Sequence, residues 1–185
     1  MDAINLLKTD HQAVEKQFRA FEATTGRATW ERAAKAAVRE LSIHAAVEEE
    51  IFYPAVTREV PDLAEIMLRS AESHGVVKWL SSAIESTSAT DDRFGPRMTV
   101  LIDNVRLHIE EEEDDIFPEV RQVLGRRRLN ELGELLAKAK AAAPTHPHPR
   151  LPDLPPANAV AGVVAGAYDK ARDATERVLH QLTSS

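Results

Sequence analysis

Cysteine is absent from this chain of 185 residues, which excludes disulfides, thiolate metal sites and a cysteine nucleophile. The chain also has no long apolar run. Its longest uncharged segment of small apolar residues, AVAGVVAGA at 159–167, is too short to cross a bilayer, which takes about 20 residues. The first residues lack a basic segment followed by an apolar one, so we expect no signal peptide and a cytoplasmic location. The net charge of −7 argues against nucleic-acid binding.

Aromatic residues make up only 5% of the chain, whereas Ala, Leu, Glu, Lys and Arg are abundant, and this mixture favours helices. Apolar residues recur at steps of three and four, which predicts an all-α fold. We expect helices A, B, C and D over about 2–25, 30–53, 60–86 and 96–117, and an additional helix over 126–143. Pro54 and Pro118 should disturb the ends of helices B and D, because proline has no N–H and crowds the preceding turn.

The C-terminal part of the chain begins with a proline-rich segment. Residues 144–156 contain six of the ten prolines, so a helix cannot pass through them. We expect an extended linker there, with His146 and His148 exposed. Residues 157–185 regain helical periodicity and predict a C-terminal helix that docks on the bundle formed by residues 1–125, or on a partner.

Two segments of the chain carry the same pattern of histidine and glutamate. HAAVEEEIFYP begins at His44 and HIEEEEDDIFP begins at His108, and each has glutamates four and five positions later and a proline ten positions later. His11 precedes the first segment by 33 residues, and His74 precedes the second by 34. The chain therefore contains an internal repeat of two helices, with one histidine on each of four helices.

The spacing within this repeat predicts a shared metal site. Residues four apart on a helix differ by only about 40° in direction, so each pair, His44–Glu48 and His108–Glu112, faces one way. In an up-down bundle these faces meet at the axis, together with the histidines of helices A and C. Such a polar cluster is costly to bury without a cation. Imidazole and carboxylate suit iron, with manganese and zinc as competitors, and two histidines for each of two metals is the natural division.

The four histidines, the two HxxxE units and the prolines that follow them resemble the hemerythrin-like, HHE cation-binding proteins, over residues 1 to about 125. The resemblance implies an up-down four-helix bundle holding a non-haem di-iron centre. The ligands that it implies are His11, His44, Glu48, His74, His108 and Glu112. Glu48 and Glu112 would bridge the two iron ions together with an oxo or hydroxo group. A ferritin-like bundle is the weaker alternative, because that family uses Glu-x-x-His, which is missing at the matching places.

Helix C departs from the oxygen-carrying members of that family. They have two histidines on this helix as HxxxH, whereas this chain reads HGVVK, with Lys78 at the second position. An ammonium group is a poor ligand, so one iron would lose a nitrogen ligand and keep an open position. This argues against reversible oxygen carriage. Lys78 is instead an outer-shell candidate that hydrogen-bonds a carboxylate or a bound anion, or reaches solvent.

Three further residues flank the implied ligands. Glu49 and Glu113 each lie five residues after a histidine, which turns them about 140° away from it, so both are outer-shell candidates. Tyr53 is a candidate for the missing ligand or for an outer-shell role, since a phenolate binds ferric iron. Ideal helical geometry directs Tyr53 about 140° from Glu48, unless a π-bulge or a kink at Pro54 re-aims it.

Three classes of function fit these residues. The open position favours a di-iron oxidoreductase that processes hydrogen peroxide, nitric oxide or oxygen, as in catalase-like or peroxidase-like protection against oxidative or nitrosative stress. A module that binds, stores or senses oxygen or iron without turnover is the alternative. A structural metal site whose C-terminal helix recruits a partner is the third. We expect small-ligand redox chemistry, because the sequence shows no nucleophile triad or phosphate-binding loop.

Overall fold

A computed structural model describes residues 1–151 and 157–183, and every regular element among them is helical. The α-helices are α1 Ala3–Glu22, α2 Arg27–Val47, α3 Tyr53–Glu59, α4 Ala64–Glu85, α5 Phe94–Glu111, α6 Phe117–Lys140 and α7 Ala157–Thr183. The prediction of an all-α fold is therefore confirmed. None of the helices in the described ranges has the length and apolarity that a membrane span requires.

Helices α1, α2, α4 and α5 form the four-helix bundle that the sequence predicts. α1 lies against α2, α4 against α5, and α2 against α4. The apolar stripe of α1 recurs at helical spacing and is buried: Ile4, Leu7, Val14, Phe18 and Phe21. Asp2 caps this helix, because its Oδ1 accepts a hydrogen bond of 2.9 Å from the backbone N–H of Asn5.

Two π-helical turns lie at matching places in the repeat. They cover Glu48–Phe52 and Glu112–Ile116, and each ends two residues before a proline. The expectation that helix B ends near Tyr53 and helix D near Phe117 is wrong, because the helical path continues beyond both prolines. A proline offers no N–H to the carbonyl four residues earlier. In a π turn the backbone hydrogen bonds join residues five apart, and with such a turn before each proline the helix continues past it.

Helix α6 bends at Gly125, whose φ of 67° and ψ of 171° lie outside the helical region. This backbone conformation is accessible essentially to glycine alone. The bend lets residues 126–140 pack against the start of α1, where three leucines of α6 are buried: Leu129, Leu132 and Leu136. The additional helix predicted over 126–143 therefore begins inside α6.

A layer of polar residues divides the apolar core into two clusters. On α1, Leu7 belongs to one cluster and Val14 to the other, with His11 between them. The order is reversed in the second half of the repeat, where Val105 before His108 belongs to the second cluster and Ile116, in the π turn after α5, belongs to the first. The layer is therefore shielded from water by apolar side chains on both sides.

The proline-rich segment is not the exposed linker that its composition predicts; residues 152–156 of it lie outside the described residues. His146 Nδ1 lies 2.6 Å from Glu85 Oε1 of α4, and its Nε2 lies 2.9 Å from Asp173 Oδ1 of α7. His148 is also partly buried. The prediction of exposure is wrong because acidic groups on α4 and α7, far away in sequence, supply partners for these imidazoles.

Helix α7 lies against the bundle beside residues 144–151. The side chain of Asp169 is buried, and its Oδ2 accepts hydrogen bonds of 2.9 Å and 3.0 Å from the backbone N–H groups of Thr145 and His146. Gly166 approaches the backbone that follows α6 so closely that a Cβ atom there would collide with the Ala142 carbonyl oxygen. Backbone and side-chain contacts together thus hold α7 in place.

Candidate metal centre

Four histidines and two glutamates of the repeat meet in the polar layer between the two apolar clusters. They are His11, His44, Glu48, His74, His108 and Glu112, and each is buried. Their ligand atoms form two overlapping groups, in each of which all atoms lie within 4.8 Å of one another. One group comprises His11, His44, Glu48 and Glu112, and the other comprises Glu48, His74 and His108. The structure thus brings together all six residues that the spacing and the resemblance single out as ligands.

Each of the two candidate ligand glutamates contacts one histidine from each hairpin of the repeat, where the first hairpin is α1 with α2 and the second is α4 with α5. Glu48 Oε2 lies 3.0 Å from His44 Nε2 of its own hairpin and 3.4 Å from His74 Nε2 of the other. Glu112 approaches the histidines of α1 and α5 in the same way, at 3.3 Å and 3.5 Å. Both carboxylates therefore lie where two cations could share them.

Tyr53 also reaches the centre of the cluster. Its hydroxyl donates a hydrogen bond of 2.9 Å to Glu112 Oε1, and it lies 3.1 Å from His74 Nε2 and 3.3 Å from Glu48 Oε2. Ideal α-helical geometry predicts a different direction, and the π turn re-aims the side chain. Burial, with Glu112 and Glu48 nearby, raises the pKa of this phenol well above its ordinary value, so it holds its proton beside the carboxylates.

Glu49 lies behind the cluster and contacts His74 from the other side of its ring. Its Oε1 lies 3.0 Å from His74 Nδ1, and its Oε2 accepts a hydrogen bond of 2.7 Å from Lys78 Nζ. Both side chains are largely buried, at 4% and 16% exposure. Lys78 therefore hydrogen-bonds a carboxylate next to the cluster, which is one of the two roles that the sequence suggests for it.

Glu113 has the equivalent place behind the histidine of α1. Its Oε1 lies 2.8 Å from His11 Nδ1, and its Oε2 accepts a hydrogen bond of 2.9 Å from Lys8 Nζ. Burial works against its charge, but Lys8 and His11 outweigh burial and hold the pKa of this carboxyl below its usual range. Glu49 and Glu113, which directly follow Glu48 and Glu112, thus make matching contacts with a histidine and a lysine.

Asp10 is a residue of the site that the sequence reasoning missed. It is buried, with its Oδ2 3.6 Å from His44 Nδ1, and its Oδ1 pairs with Lys140. Its position immediately before His11 was the only signal in the sequence. Lys140 lies 130 residues away on α6, a separation that no local pattern links to Asp10.

A proton on His44 offsets part of the negative charge of the cluster when no cation is bound. Burial works against a charged His44, but Glu48 and Asp10 outweigh it and raise its pKa to about 10. Burial alone would raise the pKa of Glu112, but the neighbouring histidines hold it well below its usual range. Burial lowers the pKa of His108. A metal cation would take over the positive charge that the proton on His44 supplies.

Several polar atoms at the centre have no hydrogen-bond partner among the described residues. They include His11 Nε2, His44 Nε2, Glu48 Oε1 and Glu112 Oε2. A buried polar atom left without a partner costs about 1–3 kcal/mol, so four together in one place are unusual. Imidazole nitrogen and carboxylate oxygen suit transition metals such as iron, and the residues present therefore fit a metal ion.

A cavity of about 20 Å³ adjoins the cluster on its histidine side. All four histidines of the cluster line it, and the other lining residues are apolar: Val14, Leu41, Ala45, Val77, Val105 and Ile109. A cavity of that size holds about one water-sized molecule. Its volume matches a molecule of a few atoms.

Comparisons with known proteins agree with this geometry. The family model described as hemerythrin HHE cation binding domain matches residues 2–120. An uncharacterized hemerythrin-like protein of Schizosaccharomyces pombe is 27% identical over 169 residues, covering 91% of this chain and 83% of that protein. The chain is also similar to the crystal structure of a hemerythrin HHE cation binding domain-containing protein from Mycobacterium kansasii, an Rv2633c homologue. The TM-score is 0.64 at 23% identity, covering 76% of this chain and 86% of that one, a likeness that shows the fold.

Proposed function

Since this chain belongs to the hemerythrin HHE cation-binding family, we propose that its buried cluster holds two iron ions that process a small oxidant. The candidate oxidants are hydrogen peroxide, nitric oxide and oxygen, and the activity would be protective, like that of a catalase or peroxidase. The observation that carries the proposal is the convergence of two overlapping ligand groups beside one small, mostly apolar cavity.

The arrangement of the ligand atoms supports a division between two metal positions. The histidines of α1 and α2 would hold one ion and those of α4 and α5 the other. Glu48, which belongs to both ligand groups, and Glu112, which lies 3.3 Å from His11 and 3.5 Å from His108, would be shared between them. Tyr53 is a further candidate ligand for the position of α4 and α5, since its oxygen lies 3.1 Å from His74 Nε2. Six protein ligands leave room for small molecules on both ions.

The composition of α4 supports an open coordination position. Lys78 pairs with Glu49 rather than with the ligand cluster, so α4 supplies one histidine. A metal site that performs chemistry keeps a vacancy for its substrate, whereas a structural site is closed by protein ligands. The cavity beside the four histidines is the place where a molecule of a few atoms would enter.

The residues of the chain contribute binding, orientation and proton placement. The apolar walls of the cavity keep bulk water away from the cluster. Tyr53 holds a proton on its hydroxyl next to Glu112, within hydrogen-bond distance of the ligand atoms. Iron, when bound, would supply one-electron steps between its ferrous and ferric states.

Peroxide disproportionation is the first activity to test, because two molecules of hydrogen peroxide give two of water and one of oxygen without another reductant. Iron-loaded protein is mixed with peroxide and oxygen release is recorded, with nitric oxide consumption measured in parallel. We expect turnover that scales with bound iron and is abolished in His74→Ala. His148→Ala, which removes a histidine outside the cluster, is the control and should retain activity. Turnover that survives in His74→Ala, or a fully iron-loaded protein inert towards both oxidants, would contradict the proposed reaction.

A sensing module is the second candidate, and it is favoured by the position of residues 144–151 and α7, which together form the C-terminal segment. A cavity of about 100 Å³ lies between the bundle and this segment, and Glu49, Lys78, His146 and Val163 are among its lining residues. A change at His74 could therefore reach α7 through Glu49. For a sensor, protection of α7 from trypsin should differ between metal-free, ferrous and ferric protein, and identical protection in all three states would count against sensing.

A further inference from the structure

We infer that Glu49 and Glu113 are positioning residues that support the two metal positions separately, each across the interface between the two hairpins. The inference rests on the two-metal site proposed above and concerns the residues behind the ligand histidines. Lys78 and Lys8 complete the arrangement, because each holds one oxygen of a glutamate while the other oxygen faces an imidazole.

The support crosses from one hairpin of the repeat to the other. Glu49 belongs to the first hairpin, yet its Oε1 lies 3.0 Å from Nδ1 of His74 in the second. Glu113 belongs to the second hairpin, and its Oε1 lies 2.8 Å from Nδ1 of His11 in the first. Both glutamates directly follow a ligand glutamate. Each hairpin therefore supplies a shared ligand and, next to it, a support for a ligand of the other hairpin.

The first π turn accommodates two successive buried glutamates at one centre. Neighbouring residues of an α-helix point about 100° apart, so one of the pair would ordinarily face away from the core. The first π turn begins at Glu48, and Glu48 and Glu49 are only 0% and 4% exposed. The ion pair with Lys78 offsets the burial of the second carboxylate.

A carboxylate at Nδ1 determines how an imidazole presents its other nitrogen. It accepts the Nδ1 proton, which leaves the lone pair on Nε2 free to face the cluster, and it holds the ring in one orientation. Removal of such a partner typically lowers metal affinity by about 10- to 100-fold. Glu49 should therefore act through His74, and Glu113 through His11, without touching the metal.

The two metal positions do not have equal support. His44 Nδ1 has no hydrogen-bond partner among the described residues, but the Asp10 carboxylate, which is itself paired with Lys140, lies 3.6 Å from it. His108 Nδ1 also has no hydrogen-bond partner in the part of the chain that the structure describes, and no carboxylate there forms an ion pair with this nitrogen. Each metal position therefore has one carboxylate within hydrogen-bond distance of a ligand imidazole, and the position of α1 and α2 has the Asp10 carboxylate as a second, more distant negative charge.

Metal binding by the apoprotein tests this inference without any activity assay. Metal-free full-length protein is titrated with cobalt(II), whose visible absorption reports binding, and the stoichiometry is measured by equilibrium dialysis. The wild type should bind two ions. Glu49→Ala should weaken, by about 10- to 100-fold, the step that His74→Ala removes, and leave the other step unchanged. Glu113→Ala should weaken the step that His11→Ala removes, by a factor in the same range, and leave the other step unchanged.

Two sets of variants separate positioning from a general loss of structure. Glu49→Gln keeps an acceptor oxygen and should recover most of the lost affinity. Glu50→Ala and Asp114→Ala remove the next acidic residue of each π turn and should leave both steps unchanged. Equal weakening of both steps by Glu49→Ala and Glu113→Ala, or none by either, overturns the inference while the two-metal site stands. A wild type that binds fewer than two cobalt ions overturns the two-metal proposal itself, and the inference with it.

Discussion

The hydroxyl of Tyr53 donates a hydrogen bond of 2.9 Å to Glu112, although the two residues come from opposite hairpins of the repeat. Tyr53 reaches that far because its own N–H bonds to the carbonyl of Glu48, five residues earlier, at the first π turn. The equivalent residue of the second repeat is Phe117, whose ring stacks on His11 with centroids 5.9 Å apart. The repeat is thus symmetric in its candidate ligands and asymmetric in the aromatic residue that follows each π turn.

Replacing Tyr53 with phenylalanine tests its role as a candidate ligand. The variant keeps the buried ring and loses only the hydroxyl, so we expect it to fold. A phenolate bound to ferric iron gives a broad visible absorption band, which iron-loaded wild type should show and Tyr53→Phe should lack. The only other tyrosine, Tyr168, is 68% exposed on α7, and Tyr168→Phe should keep the band. Identical spectra for wild type and Tyr53→Phe would mean that the hydroxyl donates a hydrogen bond and does not ligate iron.

The candidate ligands could be predicted because they depend on local spacing. Residues four apart share one face of any α-helix, so His44 and Glu48 needed no tertiary information to be placed together. The internal repeat then assigns one histidine to each helix of an up-down bundle. The same reasoning placed the apolar stripe of α1 in the core.

The features that the sequence did not reveal depend on irregular helix geometry or on contacts between distant segments. A regular α-helix predicts the wrong direction for the Tyr53 side chain. The π turn changes the helix face on which Tyr53, five residues after Glu48, lies. The burial of the Asp10 carboxylate depends on its pairing with Lys140, which the bend at Gly125 brings back across α1. His146 looked exposed from its proline-rich neighbours because its acidic partners lie on other helices.

Gly166→Ala should release α7 from the bundle. A Cβ atom at this position would collide with the carbonyl oxygen of Ala142, whereas one at Gly162, a turn earlier, would meet nothing within 4 Å. We expect trypsin to cut after Lys170 several times faster in Gly166→Ala than in wild type. Gly162→Ala is the matched control and should be cut no faster, since alanine favours the helix. Equal cutting of both variants would contradict the close contact at Gly166.

The contribution of His146 to stability should depend on pH. Burial opposes its charge, but Glu85 and Asp173 outweigh burial, with Arg172 acting against them, and raise its pKa above 6.5. A raised pKa stabilises the folded state fully below about pH 6.5, and this stabilisation is lost as the pH rises through the raised value. The pKa of Asp173 is lowered, so its contribution is lost only in acid, as the pH falls through that lowered value.

Urea unfolding of wild type and His146→Gln at a series of pH values checks this dependence. The difference in unfolding free energy should be largest near pH 6 and shrink as the pH rises towards the alkaline range. His148→Gln provides a comparison within the same segment. A difference between wild type and His146→Gln that grows with pH would contradict the sign of the effect.

Iron content and unfolding temperature, measured on one preparation, test the central claim most directly. After anaerobic loading and removal of excess iron, we expect two irons per chain. Chelation should lower the unfolding temperature, because a ligand at 100 times its dissociation constant stabilises the folded state by about 2.7 kcal/mol. A folded protein that binds no iron, and whose unfolding temperature does not respond to added iron, would contradict the account and reduce the four histidines to packing residues.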